Sequence, residues 1–354
     1  MHLKSAAIMI SDGTMQLKKN MEIILGFRLE NISVRRWKRY HCTLSGRGCG
    51  GIEIKNRRGF SMYEITKKEI LSESIFLMDV KAPRVARNCY PGQFIIVKLD
   101  ERGERIPLTI CDYDAVAGTV TIVVQAIGAS TKRMAEYNVG DALRDFTGPL
   151  GCRSELLCEP VEELKKKKIL FVAGGVGTAP VYPQVKWLHS KGVLADCIIG
   201  ARSKNLIILE EEMKAVAGEV YVATDDGSYG FKGNVNDKIK DLVSQGKSYD
   251  LVIAIGPLIM MKFVSLLTKE LGIKTVVSMN PIMVDGTGMC GACRLTVGGQ
   301  VKFACVDGPE FDGHLVDFDG AMKRAQMYRT EEGRAILRER EGATHHGGCG
   351  QCSE

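Results

Sequence analysis

The chain has 354 residues, 45% of them apolar and 25% charged, which is enough for two or three domains, each with its own core. Its formal net charge of +6 is confined to one end: residues 1–61 carry 12 Lys and Arg against 4 Asp and Glu, and the other 293 carry 36 against 38. The body is therefore excluded as a nucleic-acid surface by charge. The most apolar run, 251–267, is broken by Gly256-Pro257 and carries Lys262, so it is excluded as a membrane span.

The N-terminus lacks an apolar signal core and cleavage site, so the expected location is the cytoplasm. The 12 cysteines then read as reduced thiols, some of them ligands, rather than as a disulfide framework.

Residues 1–61 show no sustained period and are interrupted by the basic clusters 35–39 and 55–58. They are expected to be a basic extension, disordered or not native, with Met62 as the true start. From Met62, short β-rich runs follow one another: 62–70, 74–80, 93–98, 107–111 and 119–124. Pro91-Gly92 and Ala117-Gly118 mark turns between them. Closely spaced strands without long helices predict an antiparallel barrel, here over 62–164. A short helix is predicted over 132–137.

Within the barrel, Arg105-Ile106-Pro107-Leu108-Thr109 places an Arg beside a strand, suited to a flavin's pyrophosphate and ring edge. Gly128, Ser130 and Thr131, ahead of the short helix, offer N–H groups and hydroxyls to the same phosphates. Either stretch alone is weak, because an Arg at a strand end is usually a solvated charge. Their occurrence in one barrel strengthens both.

After Lys165-Lys166-Lys167-Lys168, read as a solvated linker or helix end, the period changes. An apolar strand over 169–173 runs into Gly174-Gly175-Val176-Gly177-Thr178-Ala179-Pro180 and then a helix to about His189. Strand, glycine loop and helix in that order aim backbone amides at a pyrophosphate. Strands at 196–200, 220–224, 251–255 and 275–278 alternate with helices at 210–216, 235–242 and 258–271, giving a parallel α/β domain over 165–280. Ligands in such sheets lie beyond the strands' carboxyl ends. Those ends carry Arg202 and Lys204, Asp225 and Asp226, and Gly256-Pro257. The two aspartates fit a ribose or nicotinamide contact, a general-base pair, or a turn cap.

The region 281–340 holds Asp285-Gly286-Thr287-Gly288-Met289-Cys290-Gly291-Ala292-Cys293, with Cys305 further on. Plant-type [2Fe–2S] loops use Cys-x4-Cys-x2-Cys and a distant Cys. Cys290 and Cys293 have the x2 spacing, and Asp285 stands where the first Cys would be. A structural zinc site wants a fourth S or N ligand that the sequence does not offer. Ordinary buried thiols would not need glycines packed around them. A [2Fe–2S] cluster on three thiolates and one carboxylate is the leading reading. A closing segment is expected at 311–318, an exposed charged helix at 321–338, and a flexible tail at 341–354 whose Cys349 and Cys352 bind metal only opportunistically.

Arg105-x-Pro-Leu-Thr109, the glycine loop 174–180, Thr224-Asp225-Asp226-Gly227-Ser228, Gly256-Pro257-x-x-Met260-Met261 and the Asp/Cys loop occur in that order. From Met62 to about residue 340 the chain resembles the ferredoxin–NADP reductase superfamily. Within it, the chain is similar to the small subunits of NADH-dependent reduced ferredoxin:NADP oxidoreductases (sulfide dehydrogenase β subunits), and more distantly to dihydroorotate dehydrogenase electron-transfer subunits. The resemblance implies a ferredoxin reductase-like fold: an FAD-binding antiparallel barrel, an NAD(P)-binding parallel α/β domain and a small C-terminal [2Fe–2S] region. It implies FAD at Arg105, Pro107, Leu108, Thr109, Gly128, Ser130 and Thr131. NAD(H), with NADP(H) as the alternative, would sit at Gly174, Gly175, Gly177, Thr178, Ala179, Arg202, Asp225, Asp226, Gly256 and Pro257. The cluster would be held by Asp285, Cys290, Cys293 and Cys305, and no further catalytic residue is expected.

The implied partner is a larger flavin/iron–sulfur subunit similar to the glutamate synthase small chain, with ferredoxin reached indirectly and electron bifurcation as the shared activity. Asp285 favours this reading over the dihydroorotate-linked one, whose members carry Cys there. A non-catalytic redox-sensing or metal-binding module on the same fold is the reading from another class. Arg202 and Lys204 by their chemistry favour a 2′-phosphate, whereas the resemblance favours NAD.

Overall fold

The computed structural model describes residues 63–341 except Arg102. The basic extension, the start at Met62, and Cys349 and Cys352 in the tail lie outside the described residues.

Strands β1 (Ile65–Ser72), β2 (Ile75–Lys81), β3 (Phe94–Lys98), β4 (Ile106–Asp114), β5 (Thr119–Gln125) and β6 (Asp145–Leu150) form an antiparallel sheet. Its order is β1-β2-β5-β4-β3-β6. The two outer ends meet through a bridge between Glu64 and Ala142. There Ile65 N donates to Asp141 O at 2.8 Å and Leu143 N to Tyr63 O at 3.0 Å, closing the sheet as a barrel.

β2 opens with four apolar residues in a row, Ile75 to Met78, and its packing explains why. Successive strand residues point to opposite faces. Phe76, Met78 and Val80 fill the barrel interior, while Ile75 and Leu77 pack outward against Ala179, Ile208 and Leu209 of the following domain. A strand buried on both faces cannot alternate with polar residues.

The second sheet contains β7 (Ile169–Gly174), β8 (Asp196–Ala201), β9 (Val220–Thr224), β10 (Phe231–Lys232), β11 (Leu251–Ile255) and β12 (Lys274–Ser278). All pair in parallel, in the order β10-β9-β8-β7-β11-β12. Helices cover both faces. The helix α1 (Ala129–Glu136) belongs to the barrel, and α2 (Thr178–Ser190) follows β7. α2 buries Val181, Val185 and Leu188 against Phe171, Ala173, Cys197 and Ile199. On the other face α4 (Val235–Ser244) and α5 (Leu258–Glu270) bury Ile239, Leu242, Met261 and Val264 against Leu170, Val172 and Ile198. Between α2 and α4 in sequence, α3 (Glu210–Lys214) is a short helix that buries Met213. The chain reverses direction across the sheet between β7 and β11, which is where ligands enter such folds.

Three lysines of the four-lysine run are paired with acids, and Lys168 Nζ donates to Ser248 Oγ at 3.0 Å. Lys165 and Lys166 pair with Glu162 and Glu163 at 2.8 and 2.7 Å, and Lys167 with Glu159 at 2.5 Å.

Three features of the C-terminal region depart from the sequence expectation. A hairpin, β13 (Arg294–Val297) with β14 (Gln300–Phe303), turns at Gly298-Gly299, both at positive φ (56° and 76°) as a two-residue hairpin loop needs. β15 (Glu310–Asp312) adds to the edge of the parallel sheet in the antiparallel sense, against β12. The helix expected over 321–338 is split into α6 (Phe318–Ala325) and α7 (Arg329–Glu341). α6 is docked by Phe318 and Ala321, whereas α7 offers no comparable apolar face, so the two are not held in register by a common contact. Cys293, Leu295, Ala304, Cys305 and Phe311 join the same core as α4 and α5. The region from 281 onward therefore has no separate core.

Candidate functional site

A cleft of about 1320 Å³ runs between the barrel and the carboxyl ends of the parallel strands. On its barrel wall stand Pro107, Leu108 and Thr109 of β4, together with Gly128, Ser130 and Thr131 at the start of α1. Thr131 Oγ1 accepts from the N–H groups of Ile127 and Gly128 at 3.1 and 3.0 Å, which fixes the first turn. Ser130 Oγ donates to Glu104 Oε2 at 2.5 Å. Arg105 does not line the cleft. Its Nε donates to Val284 O at 2.6 Å and its Nη2 to Asp285 O at 3.3 Å, on the Asp/Cys loop.

The opposite wall is made of glycine loops in contact with one another. A β-carbon on Gly177 would lie 2.2 Å from Ile255 O, and one on Gly256 3.1 Å from Gly174 Cα. Only glycine allows the ends of β7 and β11 to approach so closely. Gly175 has φ 56° and opens the turn. Thr178 is buried and donates from Oγ1 to Gly175 O at 2.9 Å, so it closes this loop rather than facing the cleft. Ala179, Pro180, Gly256 and Pro257 complete that wall.

At the far end the cleft meets Arg202 and Asp225, both exposed, on the ends of β8 and β9. Asp226 turns away: its Oδ1 accepts from Ser228 N at 2.9 Å, and the Ser228 side chain and amide hold its carboxyl below the usual range. Lys204 is also drawn aside, its N–H on Ser228 Oγ at 2.8 Å and its Nζ 5.1 Å from the Tyr229 ring. The sequence reading passed over Phe94, Asn234, Asp237, Lys240 and Pro309, which line the cleft as well. Of these only Asn234 had a local signal, as an Asn capping a helix followed by an acid three residues on.

The Asp/Cys loop lies over the barrel. Gly286, at φ 83°, is so close that a β-carbon would meet Ile96 Cδ1 at 2.7 Å and Leu150 Cδ1 at 2.8 Å. Cys293 and Cys305 are buried, unbridged, with sulfurs 3.2 Å apart. Burial, and then the neighbouring Cys293, push the Cys305 thiol up to about 12. Cys290 is exposed; the amides of Ala292 and Asp285 pull its thiol down, the former at 3.5 Å. The Asp285 carboxylate accepts from Thr287 N at 2.9 Å, from the Thr287 hydroxyl and from Met289 N at 3.3 Å, and these contacts hold it ionised below its ordinary range.

Among the described residues no three His, Cys, Asp or Glu converge on a single metal ion. A binuclear cluster asks for something else: two pairs of ligands spread around an inorganic core, with amides turned to the sulfurs. One buried thiol pair, one exposed thiol with an amide on its sulfur, and a carboxylate on the same glycine-rich loop fit that demand. Among the described residues no helix is long and apolar enough to cross a membrane.

Comparison with known proteins agrees. Residues 280–317 match the iron–sulfur cluster binding domain of dihydroorotate dehydrogenase B, and residues 171–266 the oxidoreductase NAD-binding domain. The electron transfer subunit of dihydroorotate dehydrogenase B from Geobacillus thermodenitrificans is 33% identical over 253 residues, covering 70% of this chain and 94% of that protein. The chain belongs to this electron-transfer subunit family. A Thermotoga maritima homolog of the same subunit is 44% identical, over 77% of this chain and 94% of its own length. A Clostridium beijerinckii protein known only as an uncharacterized protein in the adh 3′ region is 64% identical, over 82% and 98%. In three dimensions the chain is similar to a subunit in the structure of NADH-dependent reduced ferredoxin–NADP oxidoreductase, with a TM-score of 0.72 and 41% identity over 79% of this chain and 99% of that one. The chain is thus a flavin-dependent oxidoreductase of ferredoxin reductase-like fold, with FAD, NAD and a [2Fe–2S] cluster as its cofactors. As a family member it is an electron-transfer subunit that works with a catalytic partner subunit.

Proposed function

We propose that this subunit exchanges hydride with NAD(H) and delivers electrons to a larger flavin/iron–sulfur subunit, as in NADH-dependent reduced ferredoxin:NADP oxidoreductase. The observation that carries this reading is Asp285 at the first ligand position of a loop otherwise built for thiolates. The 41% identity to the subunit of that oxidoreductase supports it. When bound, the flavin supplies the switch between two-electron hydride and single electrons, and the cluster carries the latter.

The residues divide the remaining work. Pro107, Leu108 and Thr109 present the backbone of β4 to the flavin, and Gly128, Ser130 and Thr131 present a helix start to its phosphates. Arg105, assigned to the flavin from the sequence, serves the Asp/Cys loop instead, its guanidinium donating to Val284 O and Asp285 O. Gly174, Gly175, Gly177, Thr178 and Ala179 form the loop for the nicotinamide dinucleotide, with Gly256 and Pro257 bounding the nicotinamide side. Arg202 and Asp225 form the ribose end, while Asp226 caps the neighbouring turn on Ser228. With Lys204 turned to Tyr229 and Asp225 facing the cleft, the acid favours a free 2′-hydroxyl over a 2′-phosphate, hence NAD(H). Asp285, Cys290, Cys293 and Cys305 would hold the cluster, Cys293 and Cys305 as its buried thiol pair.

Anaerobic purification with flavin, iron and sulfide quantification, then EPR after NADH addition, tests the path. One FAD and two irons per chain with a signal raised by NADH is the expected result; flavin without iron would overturn the cluster assignment. The relatives named for dihydroorotate dehydrogenase B favour a second reading, in which the partner oxidises dihydroorotate. Reduction of NAD by dihydroorotate in a reconstituted complex would establish that reading and displace the first.

A further inference from the structure

We infer that Arg105 is a positioning residue of the cluster loop, its guanidinium tying the flavin-side strand β4 to the backbone of the loop that presents Asp285 and Cys290. The link joins residues 179 and 180 positions apart: Arg105 Nε donates to Val284 O at 2.6 Å, and Nη2 to Asp285 O at 3.3 Å. A guanidinium suits this task because its five N–H donors are held in a rigid plane, so two adjacent carbonyls are gripped in one orientation. The loop needs such a grip. Gly286, Gly288 and Gly291 all have positive φ, at 83°, 86° and 65°, so its backbone has little intrinsic preference for the conformation it adopts.

The loop also rests on the barrel itself, since Gly286 lies against Ile96 and Leu150 of β3 and β6. Arg105 directly precedes the strand whose Pro107, Leu108 and Thr109 wall the cleft. One side chain therefore touches the cluster loop while its backbone continues into the flavin wall. Arg105 is thus placed to make the geometry of the cluster ligands depend on the flavin side, by way of the backbone and not by a bond to the cluster.

This inference rests on the cluster assignment above, and the test separates the two. Iron and sulfide in the anaerobically purified wild-type chain come first; their absence would remove the assignment and the inference together. With the cluster present, EPR of the reduced cluster and its midpoint potential are compared in Arg105→Gln, Arg105→Lys and Ser130→Ala. The expected result is a shifted or broadened signal and a changed potential in Arg105→Gln, or loss of iron from it. Arg105→Lys, able to reach one carbonyl but not both, should fall between Gln and wild type. Ser130→Ala, which weakens the phosphate end but leaves Arg105 in place, should keep the wild-type signal. Arg105→Gln with full iron and a wild-type spectrum and potential overturns the inference. So does an equal shift in Ser130→Ala, which would assign the effect to lost flavin. If Arg105→Gln does not fold, the spectrum of Arg105→Lys decides: shifted supports the inference, unshifted overturns it.

Discussion

Gly177 lies so close to Ile255 that a β-carbon on the glycine would stand 2.2 Å from the Ile255 carbonyl oxygen. The neighbour is backbone of a central strand and cannot swing aside. Gly177→Ala must therefore spread β7 from β11, and overpacking of this kind costs roughly 1–3 kcal/mol. The variant should melt at a lower temperature and bleach its flavin more slowly on NADH addition, because the loop that moves forms the dinucleotide wall. A variant with wild-type melting and wild-type NADH reduction would show that the contact relaxes freely.

In the proposed ligand set, Asp285 supplies a hard oxygen where plant-type loops have a sulfur. Asp285→Cys should retain two irons and move the cluster's midpoint potential towards the all-thiolate value, since potential responds to ligand type. Asp285→Ala should lose iron. An unchanged potential in the Cys variant would mean that the carboxylate is not a ligand and only orders Thr287 and Met289.

Glu310 is held at the junction of β15, α2 and the segment after β6, accepting from Gln184 Nε2 at 2.7 Å. Burial raises its carboxyl above the ordinary 4.5, and Ser154 and Gln184 offset this only in part. The folded state then keeps its proton to higher pH than the unfolded chain does. Stability from this group is full below about 4.5 and falls as pH rises through the raised folded value. Glu310→Gln keeps an acceptor for Gln184 and removes the titration. The melting temperature of the Gln variant should gain on the wild type as pH rises above 4.5; parallel curves would rule this account out.

Asn234 caps α4, its Oδ1 accepting from Asn236 N at 2.9 Å and Asp237 N at 3.1 Å. Asn234→Ala leaves both amides at the helix start without that acceptor and should cost about 1 kcal/mol in a denaturant titration. Asn234→Ser should restore most of the loss, which a simple defect in cleft packing would not predict.

Asp225 and Arg202 line the same cleft, at the end proposed for the ribose. Replacing the acid with Ser should shift the ratio of kcat/KM for NADPH over NADH upward by about tenfold, equivalent to about 1.4 kcal/mol. A ratio unmoved by Asp225→Ser but lowered by Arg202→Ala would assign discrimination to the arginine alone.

The sequence by itself determined the features that depend on neighbours along the chain. The apolar runs 169–173 and 251–255 and the turns between them set the parallel sheet, because strand period and turn chemistry are local. The glycine loop 174–180 and the Asp/Cys spacing of 285–293 were legible for the same reason. The fold class and cofactor set followed from their order. The break between α6 and α7 was not legible, since the charged stretch has a helical composition throughout and only docking of Phe318 and Ala321 marks where support ends.

Tertiary structure decided what residues far apart do to each other. It brought Cys305 to within 3.2 Å of Cys293, sent Arg105 to the carbonyls of Val284 and Asp285, and turned Asp226 and Lys204 away from the cleft that Asp225 lines. It also placed β15 antiparallel against β12. The reason is physical: a side chain's torsions are chosen by the partners within reach once the backbone is packed, and those partners leave no periodic mark in the sequence around it.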